Sequence, residues 1–406
     1  MKYAIILPDG AADQPIDQLG HRTPLHAANT PNMDWIANNG WIGRVRTVPE
    51  GFAAGSDVCT LSLMGVDVHE SYTGRAPIEA AGRGITLNPG DLAFRCNLVT
   101  IAKDRMIDFA ADHIAQDDAS VLINALKAQF DSDAMTFHEG VQYRHLLILH
   151  NAASLNCECT PPHDIPNQPI ANHLPQGRDS KIVRDIMKRA ATLLADHPIN
   201  QKRAASGQNP ATNIWLWGQG VTPTLQPWPR RFSLRCAGIA AVDLIRGIDR
   251  LLGFDLIDVP TATGYLDTDY AAKGRAAVAA FDHYDAVSVH IEAPDEAGHL
   301  GDASAKVAAI EQIDAQIVGP ILDRLRRESD WRIMVAPDHP TCVATRVHSA
   351  DPPPFAIAGS AYQPTDRTAS QPADRTGAPT TGFNERNAAS GLFEPIGHQL
   401  LNRFII

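Results

Sequence analysis

The chain has 406 residues, 44% hydrophobic and 20% charged, with a formal net charge of −11. That length exceeds one ordinary core and suits two domains, and the composition excludes global disorder. The acidic balance argues against nucleic acid or an anionic membrane as partner. No apolar run reaches the roughly 20 residues of a spanning helix, and the apolar start "MKYAIILPDG" is too short for a secretion signal. Six scattered cysteines (Cys59, Cys96, Cys157, Cys159, Cys236, Cys342) form no disulfide framework. A cytoplasmic enzyme acting on a small molecule is the expectation; the sequence gives no oligomeric state.

In chain order, "KYAIIL" reads as a buried strand that "PDG" closes with Asp9. In "PEGFAAGSDVCTLSLMG" a flexible loop ends at Gly55 and Ser56 opens an apolar helical stretch. Ser56 and Asp57 there read either as helix caps or as reacting groups. Strand-like "CNLVTIA" and "RHLLILH", helix-like "SVLINALKAQF" and the polar loop "TPPHDIPNQP" follow. In "WLWGQG", Trp215 and Trp217 are expected in a core and Gln219 facing a pocket. "AAVDLIRGIDRLL" predicts a helix stopping at Gly253. "AVSVHIEA" predicts a second buried strand, ended by "PDEAGH" with Asp295 and His299 four apart on one helical turn. A long helix is expected over 303–327, with Ile310, Ile313, Ile317, Ile321 and Leu325 on its apolar face and a kink at Gly319 and Pro320. "WRIMVA" predicts a third strand, closed by "PDHP" with Asp338 and His339, and His348 follows in "TRVHSADPPPF". The stretch 361–382 reads as a mobile loop, and the chain ends in a short turn and a closing helix.

Strands alternating with helices give an α/β fold with a mainly parallel sheet flanked by helices. In such sheets functional residues gather at the carboxyl ends of strands, and here three strands each deliver an aspartate there. Asp and His together suit a divalent ion such as zinc or manganese. Two ions need about six or seven ligands, and Asp9, Asp295, His299, Asp338, His339 and His348 supply six. Ser56, at a helix start that favours anions, is the candidate seventh ligand and the attacking group. Asp57 would orient substrate or move a proton.

The blocks "ILPDGAADQPIDQLGHRTPLHAANTPNMD", "GSDVCTLSLMG", "YTGRAPIEAAGRGI", "AFRCNLVT", "GVQYRHLL", "TPPHDI", "IWLWGQG", "TATGYLDTDY", "HIEAPDEAGHLGD" and "PDHPT" with "RVHSADPPPF" run in order along nearly the whole chain. Together they resemble the archaeal-type cofactor-independent phosphoglycerate mutases of the alkaline phosphatase superfamily. The departures are Cys342 where a proline is expected after "DHPT", and "RGID" and "TATG" where "KGIG" and "GATG" are usual; none removes a proposed ligand.

The resemblance implies two divalent ions, Mn²⁺ first with Zn²⁺, Co²⁺ or Mg²⁺ as alternatives, and no 2,3-bisphosphoglycerate. One ion would take Asp9, Ser56, Asp338 and His339, the other Asp295, His299 and His348, though which ligand serves which ion stays open. It further implies that Ser56 takes the phosphoryl group of 3-phosphoglycerate and returns it to the other hydroxyl as 2-phosphoglycerate, an interconversion of glycolysis and gluconeogenesis. Related phosphoryl transfers, to homoserine or to water, are the alternatives. An inserted smaller α/β cap is expected over 97–209, within a catalytic domain of 1–96 and 210–406. An anionic substrate calls for arginine forks: Arg144 first and Arg75 second, then His163, Asp164, Lys273 and Gln219.

Overall fold

A computed structural model of the chain describes residues 1–360 and 382–405. They fall into two compact units, Met1–Tyr72 with Leu225–Ile406, and Thr73–Thr224. The 361–382 stretch lies, apart from Gly382, outside the described residues. In chain order the strands are β1 (Lys2–Pro8), β2 (Trp41–Val45), β3 (Leu92–Ala102), β4 (Arg105–Asp108), β5 (Met135–His138), β6 (Arg144–Leu149), β7 (Asn213–Gly220), β8 (Cys236–Ile239), β9 (Asp255–Leu256), β10 (Ala286–Ile291), β11 (Trp331–Val335), β12 (Thr341–Cys342), β13 (Val347–His348), β14 (Pro354–Gly359) and β15 (Leu392–Glu394).

Among the described residues, the first unit carries an eight-stranded sheet in the order β15-β2-β14-β11-β1-β10-β8-β9. All neighbours are parallel except at β14, which runs against both β11 and β2. The three apolar runs expected as strands are β1, β10 and β11, and they are adjacent, with β1 in the middle. Every residue of β10 and β11 is buried. Covered on both faces, these strands need no polar alternation, which is why their sequences read as continuous apolar runs. Ala4, Ile6, Val289, Ile333 and Val335 pack in one core with Ile310, Ile313, Ile317, Ile321 and Leu325, the face expected for the long helix.

That helix differs from expectation in one respect. It runs as Ala303–Ile313, then a wider π turn over Asp314–Val318, then Gly319–Leu325. The ring of Pro320 provides no amide and crowds the preceding turn. The wider turn just before it accommodates that mismatch, at the place where the kink was expected. The Asp243–Leu251 helix ends, as expected, with Gly253 just beyond it at φ +81°.

The second unit is built on antiparallel pairing. β3 is its central strand, with β6 on one side and β7 on the other, and β4 and β5 complete the sheet. Helices Gln116–Phe130 and Ser180–Ala195 bury Leu122, Leu126, Val183 and Ile186 in one core with Phe94, Cys96, Trp215 and Trp217. Ala76 and Ala80 of the Arg75–Gly82 helix pack with Ala93, Leu146 and Ile148. The unit's limits, 73 and 224, therefore differ from the expected 97 and 209. An edge at 97 would cut β3 in the middle, and one at 209 leaves outside the unit both the helix packed on β3 and the strand β7 paired with it.

Asp249 sits 2% exposed against Gly238, where a Cβ would lie 2.1 Å from its Oδ2. That oxygen has no hydrogen-bond partner. Burial pushes the Asp249 pKa up to about 8 from an ordinary 3.8, with Arg246 pulling the other way. Folding therefore favours the neutral acid. Its contribution is whole below the unfolded value and is lost as pH rises through the folded one. Asp249→Asn should exceed the parent in stability by about 1–3 kcal/mol near pH 9, with the gap closing toward about pH 4. Urea unfolding at several pH values measures it, and a pH-independent gap would contradict the assignment.

Candidate functional site

β1, β10 and β11 are in parallel register, with Pro8 opposite Ile291 and Ile6 opposite Val335. Their carboxyl ends therefore leave the sheet at one edge, and the acids that follow them arrive together. The chain turns there at Gly10, φ +61°, whose amide donates to Asp338 Oδ1 at 3.1 Å. A Cβ at Gly10 would lie 2.6 Å from both Asp295 Oδ1 and Thr341 Oγ1. The glycine is thus required both by its backbone angle and by the close approach of three loops.

Asp295 and His299 lie on the Ala293–Leu300 helix, one turn apart. His299 Nε2 stands 3.3 Å from Asp295 Oδ2, and His348 Nε2 stands 3.4 Å from Asp295 Oδ1. The two Nε2 atoms are 3.0 Å apart. Each ring is set from behind by a carbonyl: Arg346 O at 3.0 Å from His299 Nδ1, and Ala54 O at 3.2 Å from His348 Nδ1. A carbonyl at Nδ1 holds a proton there and points Nε2 of each ring inward, the outer support that metal-binding imidazoles use. Thr341 donates its hydroxyl to Asp295 Oδ1.

A second cluster adjoins the first. His339 Nε2 lies 3.5 Å from Asp9 Oδ1, 3.4 Å from Asp338 Oδ2 and 3.3 Å from Ser56 Oγ. Asp9, Asp338 and His339 are fully buried, and Asp9 Oδ1 and Asp338 Oδ2 have no hydrogen-bond partner. The donor atoms of Asp9, Asp338 and His339, and those of Asp295, His299 and His348, each lie within 4.8 Å of one another.

The electrostatics call for positive charge. Burial, and then the carboxylates of Asp338, Glu292 and Asp295, hold the Asp9 pKa well above the ordinary range. Burial also drives Asp295 up, but the hydrogen bonds from His299 and His348 outweigh it and hold that carboxyl well below. His299 in turn is raised to about 9, chiefly by its bond to Asp295. Carboxylates this close cannot all ionise without a cation among them. Two buried orphaned oxygens, inward imidazoles and a mixed N/O donor set fit a divalent ion.

Ser56 is the first residue of the Ser56–Leu63 helix. Gly55 occupies the capping position, and no side chain caps that end. Ser56 is therefore not the helix cap, and its hydroxyl reaches His339 instead. Asp57 Oδ2 accepts the Tyr72 hydroxyl at 2.5 Å and Oδ1 accepts the Val58 amide at 3.0 Å, so its carboxylate is engaged in the loop's own structure.

Two residues of this site escaped the sequence reading. His290 Nε2 lies 3.0 Å from Asp9 Oδ2, and Asp9, His290 and Glu292 form a further triad of donors within 4.8 Å of one another. Glu292 Oε2 is buried without a partner, and burial with Asp295 raises the Glu292 pKa to about 8. The signal was present in "SVHIEA", where a histidine and a glutamate sit in an otherwise unbroken apolar run. Lys273, expected at substrate, is fully buried and donates to the His290 carbonyl at 2.8 Å. It braces the end of β10 instead of lining an open pocket.

The remaining candidates lie in the second unit. Arg75 pairs with Glu79 at 3.0 Å, and the Arg144 guanidinium is exposed and sits 5.6 Å from the Tyr143 ring. The exposed His163 has its Nε2 3.7 Å from Asp164 Oδ1 and its ring edge-on to Trp217 at 5.1 Å. Gln219 Nε2 donates to Cys157 O at 2.8 Å, and its Oε1 is buried without a partner.

Among the described residues no helix is long and apolar enough to cross a membrane. The family model for 2,3-bisphosphoglycerate-independent phosphoglycerate mutase matches residues 37–200. A protein of that name from Methanosarcina barkeri is 44% identical over 392 residues, covering 96% of each chain. One from Methanothrix thermoacetophila is 48% identical over 361 residues, covering 89% of this chain and 91% of its own. A solved structure from Pyrococcus horikoshii superposes with TM-score 0.80 at 30% identity, covering 99% of this chain and 96% of its own. The cofactor-independent phosphoglycerate mutase of Thermoplasma acidophilum does so with TM-score 0.65 at 25% identity, covering 100% and 99%. With likeness of this degree over almost the full length of both partners, the chain belongs to the 2,3-bisphosphoglycerate-independent phosphoglycerate mutase family.

Proposed function

We propose that this protein interconverts 3-phosphoglycerate and 2-phosphoglycerate through a phosphoserine at Ser56, without 2,3-bisphosphoglycerate. The observation that carries the reading is a serine hydroxyl at a helix start, 3.3 Å from His339 Nε2 and beside a cluster of buried, orphaned carboxylate oxygens. Two divalent ions, Mn²⁺ first and Zn²⁺, Co²⁺ or Mg²⁺ as substitutes, would be held by Asp9, Ser56, Asp338 and His339 and by Asp295, His299 and His348. When bound they supply the positive charge that phosphoryl oxygens require and favour the serine alkoxide.

The chain's own groups account for the rest. Ser56 Oγ forms the bond to phosphorus as the bond from phosphorus to the glycerate oxygen breaks, and the serine proton passes, net, to that departing oxygen. Glycerate then presents its other hydroxyl, whose oxygen takes the phosphoryl group and whose proton returns to Ser56. Backbone amides at the start of the helix favour the anionic states of residue 56. Thr341 and the two carbonyls behind His299 and His348 fix the donors in place. Arg144 and Arg75 are the proposed guanidinium contacts of the anionic substrate, with His163, Asp164 and Gln219 as proposed polar contacts. Glycerate must be kept from water during its turn, which is the task proposed for a cap. The cytoplasm, where phosphoglycerates are at hand, is the proposed setting.

Two outcomes test this. Chelation should abolish interconversion and Mn²⁺ restore it with no added 2,3-bisphosphoglycerate. Mn²⁺ at about a hundred times its Kd should also stabilise the fold by roughly 2.7 kcal/mol, read by thermal unfolding, and a metal-indifferent melting curve would count against the site. Ser56→Ala should lower turnover by about a thousandfold or more, while a Mn²⁺-induced rise in Tm, smaller for the loss of one ligand, persists. A variant that turns over at the parent rate removes Ser56 as nucleophile.

A further inference from the structure

The larger unit's three candidate carboxylate ligands are built alike: a donor takes up one oxygen and the other is left facing the cluster. Asp338 Oδ1 accepts the Gly10 amide at 3.1 Å and the His339 amide at 2.9 Å, and its Oδ2 has no hydrogen-bond partner among the described residues. Asp295 Oδ1 accepts the Thr341 hydroxyl, and its Oδ2 faces His299 Nε2 at 3.3 Å. Asp9 Oδ2 lies 3.0 Å from His290 Nε2. Its Oδ1, also without a partner among the described residues, lies 3.5 Å from His339 Nε2.

The donors to Asp338 are main-chain amides, fixed by the course of the loops. Asp9 relies instead on an imidazole, and that imidazole is itself firmly held. His290 is 1% exposed, sits on β10 in register with Leu7 of β1, and has its carbonyl tied by Lys273 Nζ at 2.8 Å. A carboxylate only accepts, so as a ligand Asp9 takes its hydrogen bond from Nε2–H of His290. The terminal torsion of an aspartate is broad and roughly two-fold. Nothing within Asp9 therefore chooses which oxygen faces the cluster, and a donor fixed at Oδ2 makes that choice.

His290 could instead be a ligand, since donor atoms of Asp9, His290 and Glu292 lie within 4.8 Å of one another. The two acids, however, stand at different ring nitrogens. Asp9 is at Nε2, and Glu292 Oε2 is 3.7 Å from Nδ1. The imidazole bridges the carboxylates; it does not join both around one point.

We propose that His290 is a positioning residue, whose Nε2–H holds Asp9 Oδ2 and so turns Asp9 Oδ1 toward Asp338 and His339. This rests on the reading of Asp9 as a metal ligand.

The test is Mn²⁺ binding to the full-length protein, read by electron paramagnetic resonance of the free ion. The parent should give two dissociation constants. His290→Leu, which removes the donor, should weaken one of them about 10–100-fold and leave the other nearly unchanged. His290→Gln, which keeps an N–H donor at a similar reach, should recover most of the loss. A merely structural role would lower the metal-free Tm and leave both affinities unmoved. Affinities unmoved in folded His290→Leu, or a Gln variant as weak as the Leu variant, overturn the inference. So does a third equivalent of Mn²⁺ in the parent that His290→Leu and Glu292→Gln both abolish, because His290 would then be a ligand itself. Should His290→Leu fail to fold, ¹⁵N shifts of the imidazoles in the Zn²⁺-loaded parent decide: a proton on His290 Nε2 upholds the inference and a bare Nε2 overturns it. If the parent binds no Mn²⁺, the metal reading falls and this inference with it. If the parent binds two ions and His290→Leu moves neither affinity, the role of His290 alone falls.

Discussion

Four carboxylates, Asp9, Glu292, Asp295 and Asp338, crowd the end of one parallel sheet, and their mutual repulsion is the constraint around which the larger unit is arranged. Such a cluster is costly in a low-dielectric interior. It persists because the loops that carry it are fastened by groups away from the acids themselves. Lys306 is fully buried and donates to Asp13 Oδ2 at 2.8 Å, Ala12 O at 3.0 Å and Thr341 O at 2.7 Å. Asp13 Oδ2 also accepts the Val343 amide at 3.1 Å. The loop after β1 is thereby tied to the loop after β11, and Asp9 and Asp338 are held in place without either contributing its own free oxygens. Binding energy that a cation releases there need not be spent on ordering the site.

The two units solve different problems. A parallel sheet brings strand ends from distant parts of the chain to one edge, which suits a centre needing many converging ligands. An antiparallel sheet with helices on both faces offers broad, rigid surfaces. It is on such a surface, between Trp217 and the Arg75–Gly82 helix, that the Arg95 guanidinium is held flat.

Much of this was legible beforehand, for reasons that particular residues make clear. Asp9, Asp295 and Asp338 each follow an apolar run directly, so strand ends and acids could be paired by eye. His299 could be placed by helical spacing, four residues after Asp295. His290 and Glu292 could not be singled out so easily. They lie inside the run that defined the strand, where a polar residue reads as an exception instead of a signal. Lys273 was expected near substrate because its neighbours match the family, but a helix packed on β10 points its side chain inward. Ser56 as a cap was a reading of local sequence, overridden by Gly55 taking that position. The unit limits were misplaced by about two dozen residues at one end because a strand and the helix packed on it are tertiary facts, carried by no break in composition.

Adjacency of β1 to β10 and β11 has a consequence for how the chain reaches this state. Tyr3 pairs across from Ala286, and Lys2 from Trp331. During synthesis at roughly 5–20 residues per second, the first strand therefore emerges tens of seconds before either neighbour exists. Throughout that interval it is an apolar segment with two open hydrogen-bonding edges, a hazard for association with other nascent chains. The segment 73–224 closes on itself from contiguous sequence and can be complete on the ribosome well before then. The candidate metal cluster is accordingly among the last parts of the molecule to come together, and a chain cut short before His348 would lack part of it.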